Sequence, residues 1–186
     1  MSNNFFDQDV KVQTDSLTLF AREILKKYGL SDAEVECINF EFNATFSVST
    51  ESGQKYALRL NINSTRTVSN ILAETQWVRE LARIPSVNVP TPIATLDDEF
   101  LVSAYHADSG QTICGVMYSW LEGEEIGDEP TLDQLHTVGR AMALLHENSS
   151  HFTLTDGAEL PTFNDFFWGT EDYLFSGKST LIPKDR

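Results

Sequence analysis

The stretch Thr45-Phe-Ser-Val-Ser-Thr50-Glu-Ser-Gly53-Gln-Lys-Tyr56-Ala-Leu-Arg-Leu-Asn61 decides the fold class. Two runs with strand-like alternation, Thr45–Ser49 and Tyr56–Asn61, flank Thr50-Glu-Ser-Gly53, whose glycine supplies the positive φ that a tight hairpin often needs. In the second run the alternation puts Tyr56, Leu58 and Leu60 on one face and Ala57, Arg59 and Asn61 on the other. The apolar face asks for a core. The opposite face carries a charge, which needs water or a partner. Just upstream, Val35–Phe40 also reads as a strand, so an antiparallel meander is expected.

The segments on either side complete a mixed α+β order. Before the meander, Leu17, Phe20, Ile24, Leu25 and Tyr28 follow a 3.6-residue period; Asp15 or Ser16 can cap the helix they predict, and Gly29 stands where a left-handed C-terminal cap belongs. After it, Val68, Ile71, Leu72, Thr75, Val78 and Ala82 predict a second helix over about residues 68–83, which Pro85 ends. The Pro-dense stretch from Pro85 to Pro92 reads as a rigid connector. Glu99–Tyr105 and Thr112–Leu121 predict another strand pair around Ala107-Asp-Ser-Gly110, making about five strands. Thr131-x-x-Gln134 has the capping-box pattern, and Leu135, Val138, Met142 and Leu145 form the stripe of a third helix. An aromatic-rich fourth helix is expected over Phe163–Phe175.

Composition excludes several functions. The 186 residues carry 13 Lys and Arg against 28 Asp and Glu, a net charge of −15, and that field repels nucleic acid and anionic lipid. The acidity is uneven, with net −2 over residues 1–93 and net −13 over residues 94–186. Such an excess marks either a solvated face or a surface that attracts cationic ligands. Cys37 and Cys114 stand far apart without metal-ligand spacing, so neither a disulfide framework nor a zinc site is expected, and a reducing cytosol fits. No segment has the apolar length of a membrane span. The expectation is a cytoplasmic protein with no nucleic-acid and no membrane partner.

The order of elements resembles the small lobe of a protein-kinase-like fold: a meander with a basic residue late in its third strand, a helix carrying an acid, then two strands and a connector. Asn43-Ala-Thr-Phe-Ser-Val48, Tyr56-Ala-Leu-Arg-Leu60, Ala73-Glu-Thr-Gln-Trp77, Val89-Pro-Thr-Pro92, Met117-Tyr-Ser-Trp-Leu-Glu-Gly123 and Val138-Gly-Arg-Ala-Met-Ala-Leu-Leu-His146 together resemble the aminoglycoside phosphotransferase, choline kinase and homoserine kinase-like family. The resemblance spans residues 38–146 and implies a nucleotide-binding lobe with its leading helix over residues 1–121. Residues 122–186 would then be the interlobe connector and the first helices of a C-terminal lobe.

For the site, the resemblance implies ATP and Mg2+. Arg59 would reach the α- and β-phosphates, since a guanidinium grips oxyanions in bidentate fashion, or else it is a surface or structural arginine. Glu74, fifteen residues on, would orient it by an ion pair, or is an exposed helix carboxylate. Asn43, Ala44, Thr45 and Ser47 belong to the hairpin that would cover the triphosphate, without any Gly-rich motif; an ordinary polar hairpin is the alternative. Met117, Ser119, Trp120 and Leu121 would meet the adenine where the last strand runs into the connector.

The family's catalytic loop resembles His-Gly-Asp with an Asn five residues later. None of His106, His136, His146 and His151 is followed by Gly-Asp. The resemblance therefore implies an N-terminal portion only, with no catalytic residue and no metal ligand in this chain and the magnesium ligands in a later part. Two readings follow. One is a piece of an ATP-dependent kinase acting on a hydroxyl of a small cationic or amine-bearing substrate such as an aminoglycoside, choline or homoserine. The other is a pseudokinase-like module that binds nucleotide or protein without catalysis. Self-association is expected through an exposed aromatic surface at Phe163, Phe166, Phe167, Trp168 and Phe175.

Overall fold

The computed structural model describes residues 4–124, 126–155 and 157–161. Helix α1, Val10–Leu25, opens the fold after a 3₁₀ turn at Phe5–Asp7. It begins several residues before the expected Asp15 or Ser16, because the Asp9 side chain accepts a hydrogen bond from the Lys11 N–H and Gln13 folds back to donate to the Gln8 carbonyl. A 3₁₀ turn, Lys26–Tyr28, ends it at Gly29, which has the expected left-handed conformation (φ 71°).

Six strands follow in one sheet: β1 (Glu34–Phe40), β2 (Ala44–Ser49), β3 (Lys55–Asn61), β4 (Pro92–Ile93), β5 (Val102–His106) and β6 (Gln111–Ser119). The order is β1-β2-β3-β6-β4, with β5 also on β6, and every pairing is antiparallel. The β2–β3 hairpin turns at Gly53 (φ 84°), where an L side chain would be strained. Two-residue β4 adds a sixth strand to the expected five; it exists because β6 is long enough to pair with β5 near its start and with β4 near its end.

Period-two alternation along β6 divides the core. Ile113 and Met117 join Leu58, Leu60, Phe46 and Val48 beneath α1, packing against Leu17, Ala21, Ile24 and Leu25. Cys114, Val116 and Tyr118 point to the other face, where Ile71 of helix α2 (Val68–Leu81) covers them. Gly115 lies on the α1 side, and a Cβ there would come within 3.1 Å of a Leu60 methyl and 3.4 Å of an Ile24 methyl. Helix α2 starts at a capping box between Thr67 and Asn70.

Helix α3, Leu132–His151, carries the expected capping box between Thr131 and Gln134. None of its described residues is buried, and the stripe residues Leu135, Val138 and Met142 are exposed. The expected fourth helix lies outside the described residues, as does the aromatic set Phe163, Phe166, Phe167, Trp168 and Phe175. The expectation of self-association through an aromatic surface is corrected: among the described residues no exposed aromatic cluster exists. Phe5 and Phe20 instead set their rings edge-on against the buried His106, and Phe6 packs on Phe5. No helix among the described residues is long and apolar enough to cross a membrane.

His106 is the centre of a polar cluster at the α1 edge. Its Nε2 lies 3.0 Å from Ser16 Oγ and its Nδ1 2.9 Å from Ser109 Oγ. Ser16 spends its one hydroxyl proton on Asp108. His106 therefore donates from Nε2 and, when neutral, accepts at Nδ1 from Ser109.

Candidate functional site

Arg59 lies on β3, paired with Thr45 of β2 on one side and Val116 of β6 on the other. Leu58 and Leu60 fill the α1 core, so Arg59 projects from the opposite face, toward α2. There its Nη1 donates to Glu74 Oε1 at 2.7 Å, and Nη2 donates to the Tyr118 hydroxyl at 3.4 Å. The ion pair that the family resemblance implies between Arg59 and Glu74 is formed, on the face where strand alternation places Arg59. Burial works against the charge of Arg59, but the hydrogen bond and charge of Glu74 outweigh it and hold the guanidinium pKa above its ordinary value. The Tyr118 phenol is pushed up, chiefly by burial, with the Arg59 charge pulling the other way.

One nitrogen of this guanidinium makes no hydrogen bond. Arg59 Nε is buried and has no hydrogen-bond partner. Further along β3, Asn61 Oδ1 is likewise buried without a partner, as is Asn43 Oδ1 in the bend just before β2. A buried donor without an acceptor costs free energy, and an oxyanion that reached Arg59 would remove that cost. The Arg59 Nε–H thus suits a phosphate oxygen, whereas the two asparagine oxygens are acceptors and would take a donor.

The remaining expected residues divide by face. Thr45 stands across from Arg59, and Ser47, two residues further along β2, is buried between Glu36 and Ala57 in the register. Ala44 and Met117 have their side chains in the α1 core, turned away from Arg59, so only their backbone could serve the site. Ser119 ties the end of β6 to the Pro-rich connector: its N–H donates to the Thr91 carbonyl and its Oγ accepts from the Thr91 N–H, both at 2.8 Å. Lys55 Nζ sits 3.8 Å from the centre of the Trp120 ring, whose buried Nε1 has no partner, and Leu121 is exposed. Tyr118, Asn61 and Lys55 were not among the expected site residues. Tyr118 could have been found from β6 alternation, which places it on the same face as Val116, the register partner of Arg59.

Magnesium does not fit the described residues. Among them no three His, Cys, Asp or Glu side chains come together to hold a metal ion.

An antiparallel sheet covered by a leading helix on one face, with an Arg–Glu pair linking its third strand to a helix on the other, defines the small lobe of a kinase-like α+β fold. Residues 40–173 match the phosphotransferase enzyme family, APH, and the chain belongs to that family. Among solved structures, it is similar to a microcompartment-associated aminopropanol kinase, with 27% identity and a TM-score of 0.66, over 78% of this chain and 45% of that one. It also shares its fold with amicoumacin kinase hAmiN, solved in complex with AMP-PNP, Ca2+ and Ami, with 16% identity and a TM-score of 0.65, over 80% of this chain and 45% of that one. The chain thus spans less than half the length of either of these kinases. No curated protein matches the sequence.

Proposed function

We propose that the chain forms the nucleotide-binding lobe of an ATP-dependent small-molecule phosphotransferase. Arg59 binds the α- and β-phosphates, Glu74 and Tyr118 aim it, and the polar face of the Asn43–Ser47 hairpin lies over the phosphates. Ser119, Trp120 and Leu121 border the adenine. The single observation that carries this reading is the half-buried Arg59 guanidinium, held at Nη1 by Glu74 while its buried Nε–H has no acceptor. A phosphate oxygen would supply the acceptor that this donor lacks.

The acceptor belongs to the same reading. A hydroxyl on an amine-bearing molecule fits two observations: the likeness, at 27% identity, to a kinase of aminopropanol, and the net −13 of residues 94–186, which attracts a cation. ATP arrives with its magnesium, which neutralises phosphate charge. No metal ligand set is found among the described residues, so the lobe's own part is to bind and orient the nucleotide. On this reading residues 1–121 are that lobe and residues 122–186 begin the next.

Calorimetric titration of the 186-residue chain with ATP and magnesium tests the reading. Saturable binding that Arg59→Met weakens about tenfold or more supports it, in line with the loss of a charge-assisted phosphate contact. Binding that Arg59→Met leaves unchanged overturns the assignment of Arg59, and no binding by the unsubstituted chain overturns the nucleotide lobe. ATP binding by the full-length protein without transfer to any amino alcohol would favour the non-catalytic module instead.

A further inference from the structure

Helix α2 carries Glu74, and its inner side meets the sheet through Ile71 and Val78. Its outer side is gripped by a distant part of the chain. Trp77 Nε1 donates to Asn148 Oδ1 at 2.8 Å. Gln76 makes a two-point contact with Thr155: its Nε2 donates to Thr155 Oγ1 at 2.6 Å and its Oε1 accepts from the Thr155 N–H at 3.0 Å. Glu159 closes the far end, its carbonyl accepting from Asn70 Nδ2 at 2.8 Å and its N–H donating to the Ser69 carbonyl at 3.2 Å. The Ala158 N–H donates to the Thr155 carbonyl at 3.2 Å, tying these two points together.

These contacts are spread along α2. Ser69 and Gln76, like Asn70 and Trp77, are seven residues apart, so each pair lies on one side of the helix two turns apart. Five hydrogen bonds across two turns fix both the axial position and the rotation of a helix, which a single contact would not. Asn70 adds a link to the start of α2, because its Oδ1 also accepts from the Thr67 N–H in the capping box. Rotation of α2 moves Glu74, and Glu74 holds Nη1 of Arg59.

We propose that Asn148, Thr155 and Glu159 form a clasp that sets the placement of α2 and, through Glu74, the aim of Arg59, with Asn70, Gln76 and Trp77 as positioning residues. The clasp couples the segment that follows the connector to the phosphate site. It rests on the reading of Arg59 as the phosphate-binding group. By linkage, a nucleotide that prefers the aimed Arg59 tightens the clasp by the factor by which the clasp tightens the nucleotide.

The test uses Gln76→Ala in the 186-residue chain, with Trp77→Phe, which keeps the ring and loses the N–H, as the second variant. Amide hydrogen exchange is read first, without ligand. Faster exchange over residues 68–81 with unchanged exchange over residues 10–25 supports the clasp; unchanged α2 exchange in both variants overturns it. ATP with magnesium is then titrated. An affinity about fivefold lower in the variants, with no further loss when Gln76→Ala is added to Glu74→Gln, supports coupling through Glu74. An equal loss in both backgrounds, or no loss in either, overturns it. If the unsubstituted chain binds no ATP, the nucleotide reading fails, and the exchange result alone decides the clasp.

Discussion

Arg59 separates what a residue does for stability from what it does for a ligand. Its ion pair with Glu74 is only partly buried, with the Glu74 side chain 40% exposed, so screening limits its contribution to folding. Arg59→Met should therefore lower stability by about 1 kcal/mol or less in urea titration, while weakening ATP about tenfold or more. A loss of stability without loss of ATP binding would mark the arginine as structural. His106 gives a prediction of a different kind. Burial holds its imidazole below the ordinary 6.5, with Asp108 pulling partly the other way. Above pH 6.5 both folded and unfolded chains carry it neutral. As pH falls through 6.5 the unfolded chain takes up the proton first, so stability is lost downward in pH. Urea midpoints should fall across that window in the wild type. They should fall further in Asp108→Asn, which removes the carboxylate that favours the imidazolium, and a flat profile in both would refute the assignment.

At the scale of elements, Gly115 of β6 leaves space that Leu60 of β3 and Ile24 of α1 fill. Gly115→Ala should cost about 1–3 kcal/mol, because the added methyl must push aside Leu60 and Ile24 in a filled core; equilibrium unfolding would show it, and an unchanged midpoint would mean that α1 can shift outward freely. This scale also shows what could be read in advance. The meander, α2 and α3 were legible because alternation or a 3.6-residue stripe runs through each; strand parity gave the face of Arg59, and the family resemblance gave Glu74 as its partner. The first turns of α1 were not, since Val10 and Val12 are exposed and continue no apolar stripe. Nor was β4, whose two residues are strand only because β6 offers them a ladder. The contacts of Gln76 and Trp77 left no trace in any pattern, because single amide and indole hydrogen bonds to residues more than seventy positions away have no period.

For the molecule as a whole, the arrangement sets two helices on one sheet by different means. Helix α1 is held by a continuous apolar layer, α2 by a small apolar patch and the polar contacts of Asn148, Thr155 and Glu159. A gentle destabilant should therefore loosen α2 before α1, with hydrogen exchange of α2 amides at a lower free energy than global unfolding; coincident opening of the two helices would contradict it. The central place of β6 has a further consequence, in time. The β1-β2-β3 meander joins neighbours in the chain, whereas β6 must find β3 across more than fifty intervening positions before either face of the sheet is complete. Closing so long a loop precedes any reward from burying Val116 and Met117, so the arrival of β6 is expected to be the slow event in assembly. Stopped-flow refolding should then show Val116→Ala slowing the folding limb, while Val35→Ala at the outer strand mainly speeds the unfolding limb. The strand that completes both faces of the sheet would thus also be the one for which the rest of the lobe waits.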